Sequence, residues 1–85
     1  MTDLEPSPQP NGQRLHERMR VAALGDTERR ILDALAAGKT GPEICRDLGI
    51  GRTQYHRYLQ RIRWYLDVPT TTAAVALYLR VKSGL

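Results

Sequence analysis

Apolar positions along the chain fall into helical stripes separated by short breaks at glycine and proline. Between Gln13 and Leu24, the residues Leu15, Met19, Ala22 and Ala23 recur near one face, with Arg14, Glu17, Arg18 and Arg20 opposite. Residues 13–24 therefore read as an extra N-terminal helix or a linker. Gly25 breaks the pattern, and Asp26 is a suitable N-cap for a helix over 27–37. Ile31, Leu32 and Leu35 form its stripe, and Glu28 lies in the first turn, at the positive end of the helix dipole. Gly38 stands where a helix end takes a left-handed residue. Thr40 and Glu43 have capping-box spacing, and Pro42 lies in the first turn, where its missing N–H costs nothing. That helix runs to Leu48, with Ile44, Cys45 and Leu48 expected inward and Cys45 a small buried hydrophobe.

A longer helix follows over 52–66. Gly49 permits the positive φ of a tight turn, Ile50 is expected to plug the core, and Gly51 serves as N-cap. Tyr55, Leu59, Ile62 and Leu66 are spaced i, i+4, i+7 and i+11, which is one narrow apolar stripe. Pro69 disfavours helical geometry at Val68, and Thr70 can cap a last helix over 71–82. Residues 1–12 hold Pro6, Pro8, Pro10 and Asn11-Gly12, a composition expected to form a flexible arm. The expected fold is all-α. It is a four-helix, bundle-like helix-turn-helix domain over 25–85, with the segment 13–24 as an addition. Two helices joined by a tight glycine turn at 48–51 are the signature of the helix-turn-helix.

Charge sharpens this picture. The net charge is +4, and residues 51–66 carry Arg52, Arg57, Arg61 and Arg63 without an acid. A basic element suits a polyanion partner, although a solvated helix face has the same composition. Opposite the apolar stripe of 52–66 lie Thr53, Arg57, Gln60 and Trp64, flanked by His56 and Arg61. Arginine can bond guanine and glutamine adenine in bidentate fashion at the major-groove edge. Arg52 and Thr53, at the helix start, suit phosphate.

The last helix carries Ala74, Val75, Leu77, Tyr78, Leu79 and Val81, an apolar arc wider than one core face requires. The second side points to a partner subunit in an isologous contact through Ala74, Leu77, Tyr78 and Val81. The alternatives are a C-terminal helix that is simply apolar without a partner, or packing by the segment 13–24.

Several functions are disfavoured. One cysteine excludes an internal disulfide, and one Cys with two His lacks zinc-finger spacing, so no metal or cofactor is expected. The acidic start does not resemble a signal peptide, and no apolar run approaches the roughly 20 residues that span a bilayer. The expectation is a cytoplasmic protein with no membrane contact. An enzyme is not expected, because no carboxylate pair, phosphate-binding glycine loop or nucleophile–base set is present.

Together these elements resemble the DNA-binding domain of LuxR/GerE-type regulators, over roughly Leu24 to Leu85. The family opening, Leu-Thr-x-Arg-Glu leading to Val-Leu, is similar to Leu24-Gly25-Asp26-Thr27-Glu28 followed by Ile31-Leu32. Its Ala-x-Gly-x-Thr/Ser step matches Ala36-Ala37-Gly38-Lys39-Thr40, and its Glu-Ile-Ala-x-x-Leu-x-Ile-Ser segment matches Glu43 to Gly51. The departures are Gln54 for a capping Thr, Tyr55 for Val, Tyr58 for His, Trp64 for a polar residue and Asp67 for a frequent Gly. The Arg expected near Thr71 is missing. The large ring of Tyr55 is expected to set the two helices slightly further apart.

The resemblance implies base contacts at His56, Arg57 and Gln60, and phosphate contacts at Thr40, Arg52, Thr53 and Arg61. It also implies docking in the major groove and dimerisation through the last helix. Some 23 residues precede the domain, too few for a receiver or ligand-binding domain. Control is then expected from abundance, a partner protein or dimerisation.

Two functions follow. The favoured one is a stand-alone transcriptional regulator, binding double-stranded DNA as a homodimer or as a heterodimer with a related regulator. The other is a protein-interaction module on the same fold, contacting RNA polymerase, a sigma factor or another regulator through Trp64. A sigma region-four-like domain shares the helix-turn-helix but does not predict the apolar last helix.

Overall fold

Five helices follow one another with short breaks: α1 (Pro10–Ala22), α2 (Asp26–Ala36), α3 (Gly41–Leu48), α4 (Arg52–Leu66) and α5 (Thr71–Lys82). The computed structural model describes residues 10–84, with side chains from Leu15 onward. Among them there is no strand, and the fold is all-α as expected. The four helices of the helix-turn-helix domain stand within a residue of their expected limits.

Local chemistry explains most of the boundaries. The α2 end is closed by Gly38 at φ 87°, with the Gly38 N–H on the Leu35 carbonyl and the Lys39 N–H on the Ala34 carbonyl, each at 3.0 Å. Thr40 caps α3: its hydroxyl accepts from the Glu43 N–H at 3.3 Å, and the Glu43 carboxylate accepts from the Thr40 N–H at 2.8 Å. Gly49, at φ 67°, makes the turn into α4. The Thr70 hydroxyl accepts from the Ala73 N–H at 3.0 Å and starts α5. One cap differs from expectation. The N-cap of α2 is Gly25, not Asp26, because Glu28 reaches back to accept from the Gly25 N–H at 2.7 Å.

The core lies where α4 meets α2, α3 and α5, with α1 laid across α4 and α5. Ile31, Leu32, Ile44, Ile62 and Leu66 are fully buried, each contributing about 1.5–3 kcal/mol of burial. Ile50 and Leu48 pack against this cluster from the turn. Cys45 is only half-buried, its Sγ 4.0 Å from the Gly51 carbonyl, so it is not the enclosed hydrophobe expected. The Tyr55 ring is accommodated by Gly41, where a Cβ would stand 3.2 Å from a ring carbon.

The N-terminal region departs most from the sequence reading. The extra helix begins at Pro10, inside the expected flexible arm; the remainder of that arm, residues 1–9, lies outside the described residues. The expected stripe of Leu15, Met19, Ala22 and Ala23 faces solvent, with Leu15 56% and Met19 61% exposed. Val21 and Leu24 enter the core instead. Their side of α1 also carries Arg20, paired with Asp67 at 3.2 Å, and Glu17, paired with Arg80 at 2.9 Å. The two apolar anchors and two ion pairs share one side, and they set the rotation of the helix. The Arg29 guanidinium donates to the Ala22 carbonyl at 3.3 Å and closes the α1 end.

α5 is corrected for the same reason. Ala74, Leu77 and Tyr78 are buried within the monomer, and Val81 packs against the same core. These four residues were expected at a dimer contact, but α1, α2 and α4 cover them within one chain. The packing alternative accounts for the broad apolar arc. The outward side of α5 keeps Thr72, Ala76 and Leu79 exposed.

Candidate nucleic-acid interface

The site is built on α4. Tyr55, Leu59, Ile62 and Leu66 are buried, as their spacing predicts, and they clamp the helix along one side. The opposite side carries Thr53, His56, Arg57, Gln60, Arg61 and Trp64, all exposed. Arg52, at the first helical position, is exposed as well. The helix start has no side-chain cap from Gly51. Gln54 reaches back instead, its amide oxygen accepting from the Gly51 N–H at 3.4 Å. Gln54 therefore supplies helix-start capping from a position where the resembled family has threonine. The ring of His56 lies 5.8 Å from that of Tyr55, which is buried and whose hydroxyl is pushed above its ordinary value by that burial.

The expected site residues divide by placement. His56, Arg57 and Gln60 share the outer face of one rigid helix, where each can reach a single partner surface. Arg57 and Arg61 line one hollow of about 150 Å³ with Gln54 and Tyr58. The Arg61 guanidinium also lies over the Tyr58 ring, 5.9 Å from its centroid. Thr40 stands on a different element, at the start of α3; it is exposed, with its hydroxyl oxygen engaged in the cap. Arg63 is turned from the outer face, half-buried, and donates to the Thr71 hydroxyl at 3.1 Å.

No family model, curated protein or solved structure matches the chain. The functional reading therefore rests on the site itself.

One partner in that site escaped the sequence reading. Arg61 is paired with Glu28 at 3.5 Å, and the Glu28 side chain is only 7% exposed. The same carboxylate holds the Gly25 N–H. One buried acid thus joins the α1–α2 turn to the flank of the basic helix. The sequence showed Glu28 as a first-turn acid of α2 but carried no sign that α4 would cover it. Trp64 stands 77% exposed near the α4 C-terminus, with Tyr65 edge-on to it at 5.3 Å between ring centres. Among the described residues, no group of three or more His, Cys, Asp and Glu could hold a metal ion. No described helix is long and apolar enough to cross a membrane.

Proposed function

We propose that this chain is a helix-turn-helix protein that binds double-stranded DNA through α4 and acts as a transcriptional regulator. The observation that carries the proposal is the division of α4 into two sides. One side is buried through Tyr55, Leu59, Ile62 and Leu66, and the other is exposed through Thr53, His56, Arg57, Gln60 and Arg61, with no acid on it. A helix held this way can enter a major groove without unfolding any of its packing. Arg57 and Gln60 would read base edges with His56 beside them. Arg52, Thr53, Arg61 and Thr40 would hold phosphates. The order of helices and the glycine turn support the LuxR/GerE-type reading of the sequence. A symmetric pair on DNA remains part of the proposal, but its contact must lie on surfaces other than Ala74, Leu77 and Tyr78. A homodimer or a pair with a related regulator would both meet that condition.

The test is duplex binding as a function of salt. Neutralising several phosphates should make affinity fall steeply between about 50 and 200 mM salt. Arg57→Ala should relax preference at one base pair by about 1–3 kcal/mol, while Arg61→Ala weakens all sequences alike. Salt-insensitive, weak binding to every duplex would sink the proposal. The exposed Trp64 favours a second reading, a contact with RNA polymerase, a sigma factor or another regulator. Under that reading Trp64→Ala loses the protein partner and keeps duplex affinity.

A further inference from the structure

Trp64 is the chain's single tryptophan, and it contributes little to the core. On a regular helix it lies on the same face as Arg57, seven residues and about 10 Å further along the axis. That spacing lets one strand running along the face meet both side chains. Its neighbours on that face are Gln60 and Arg61, one turn before it. The acid one turn after it, Asp67, is held by Arg20 at 3.2 Å. Tyr65, half-buried, meets the indole at an interplanar angle of 71°.

A stacked duplex offers this indole only sugar and base edges, and the ring faces would stay in water. A protein pocket would cover the ring, but it would also have to supply acceptors for the charged groups around it. Here the ring is bordered by hydrated guanidinium and amide groups. An unpaired base uses both features at once: its π-face stacks on the indole, and its flanking phosphates meet Arg57 and Arg61.

We propose that Trp64 is a stacking platform for an unpaired base, so that the outer face of α4 binds single-stranded nucleic acid as well as duplex. The proposal rests on the reading of α4 as a nucleic-acid-binding helix, and the experiment separates the two. The full chain is titrated at 50 mM salt and 10 °C with a thirty-nucleotide oligo-dT and, separately, with the same strand paired to oligo-dA. Trp64 emission reports the site directly, and labelled strands report affinity. Saturating single strand should quench the emission at least twofold, and duplex should not. Trp64→Ala should weaken single-strand binding by about tenfold while changing duplex affinity less than twofold. Trp64→Phe should recover part of the loss. Unchanged helicity by circular dichroism keeps the variants comparable.

Emission unmoved by saturating single strand would overturn the proposal. So would an equal loss on both ligands, which makes Trp64 a general DNA contact. No loss on either would leave the ring for a protein partner. Tight duplex binding without single-strand binding would overturn this inference alone. Binding to neither would overturn the DNA-binding reading as well.

Discussion

The Glu28 carboxylate shows how much one side chain can connect. Its Oε1 accepts from the Gly25 N–H at the start of α2, and its Oε2 faces the Arg61 guanidinium on α4. A charge this enclosed persists only when hydrogen-bonded and paired. A Cβ at position 25 would stand 2.6 Å from Oε1, so any larger residue there would displace the Glu28 carboxylate from its present place. Glu28→Ala leaves the Gly25 N–H without its acceptor, and a lost hydrogen bond to a charged group costs about 1.5–3 kcal/mol. Glu28→Gln keeps an amide oxygen for the Gly25 N–H and should stay nearer to wild type. Urea midpoints should therefore rank wild type above Gln above Ala, and equal losses would show that the cap is not what Glu28 contributes. Arg61 is 58% exposed on its side chain. Under the proposed function, Glu28 would limit where Arg61 meets a phosphate.

Helix ends account for most of what the sequence showed of the fold. The Thr40–Glu43 box, Gly38, Gly49 and Thr70 each act through neighbours a few residues away, so the chain alone carries their meaning. The outer face of α4 was legible for the same reason, since one narrow stripe leaves a single possible opposite side. The rotation of α1 was not. Its apolar majority, Leu15 and Met19, faces out, because Val21 and Leu24 meet the core and Arg20 and Glu17 find partners on α4 and α5. Those partners are distant in sequence, and no periodicity within 13–24 reveals them. Asp67 is the remaining terminus of note. It ends α4 at φ 56°, the described non-glycine residue with positive φ. Glycine adopts this left-handed backbone without a steric cost. Asp67→Gly removes the steric cost and loses only an exposed ion pair, so stability should hold or rise by up to about 1 kcal/mol. Asp67→Val should lower it by about 1–2 kcal/mol, read as a drop in thermal midpoint.

At the scale of the whole molecule, acid and base act on the ties between helices. Lys82 and Tyr78 donate to the same Asp33 oxygen, at 2.9 and 2.7 Å, and their hydrogen bonds hold the Asp33 carboxyl below the ordinary range. Asp47 is lowered by Lys39, and Glu43 by the Thr40 N–H. A carboxyl lowered by folding contributes stability above its unfolded pKa, near 4, and loses it as pH falls through the folded value. Lys82 and Lys39 are raised by the same pairings, and Tyr78 is raised chiefly by burial. These groups contribute below about pH 10 and lose that contribution above it. The thermal midpoint should be flat between about pH 5 and 9 and fall below about pH 4. Asp33→Asn should reduce the slope of the acid limb; an unchanged limb would assign it to other carboxylates.

The bonds of α5 to the first two helices also set an order of events. Arg80 reaches Glu17 across 63 positions of chain, and Tyr78 reaches Asp33 across 45, whereas the caps and turns close within a few residues. Long closures lose more chain entropy before any contact rewards them. The turn between α3 and α4 is therefore expected to form early and the return of α5 onto α1 and α2 late, so Tyr78→Phe should speed unfolding and leave the folding rate nearly unchanged in a chevron measurement. Interactions made there slow unfolding more than they speed folding. The clasp formed by Glu17, Asp33, Tyr78 and Arg80 then acts mainly on how long α4 stays packed once it has folded.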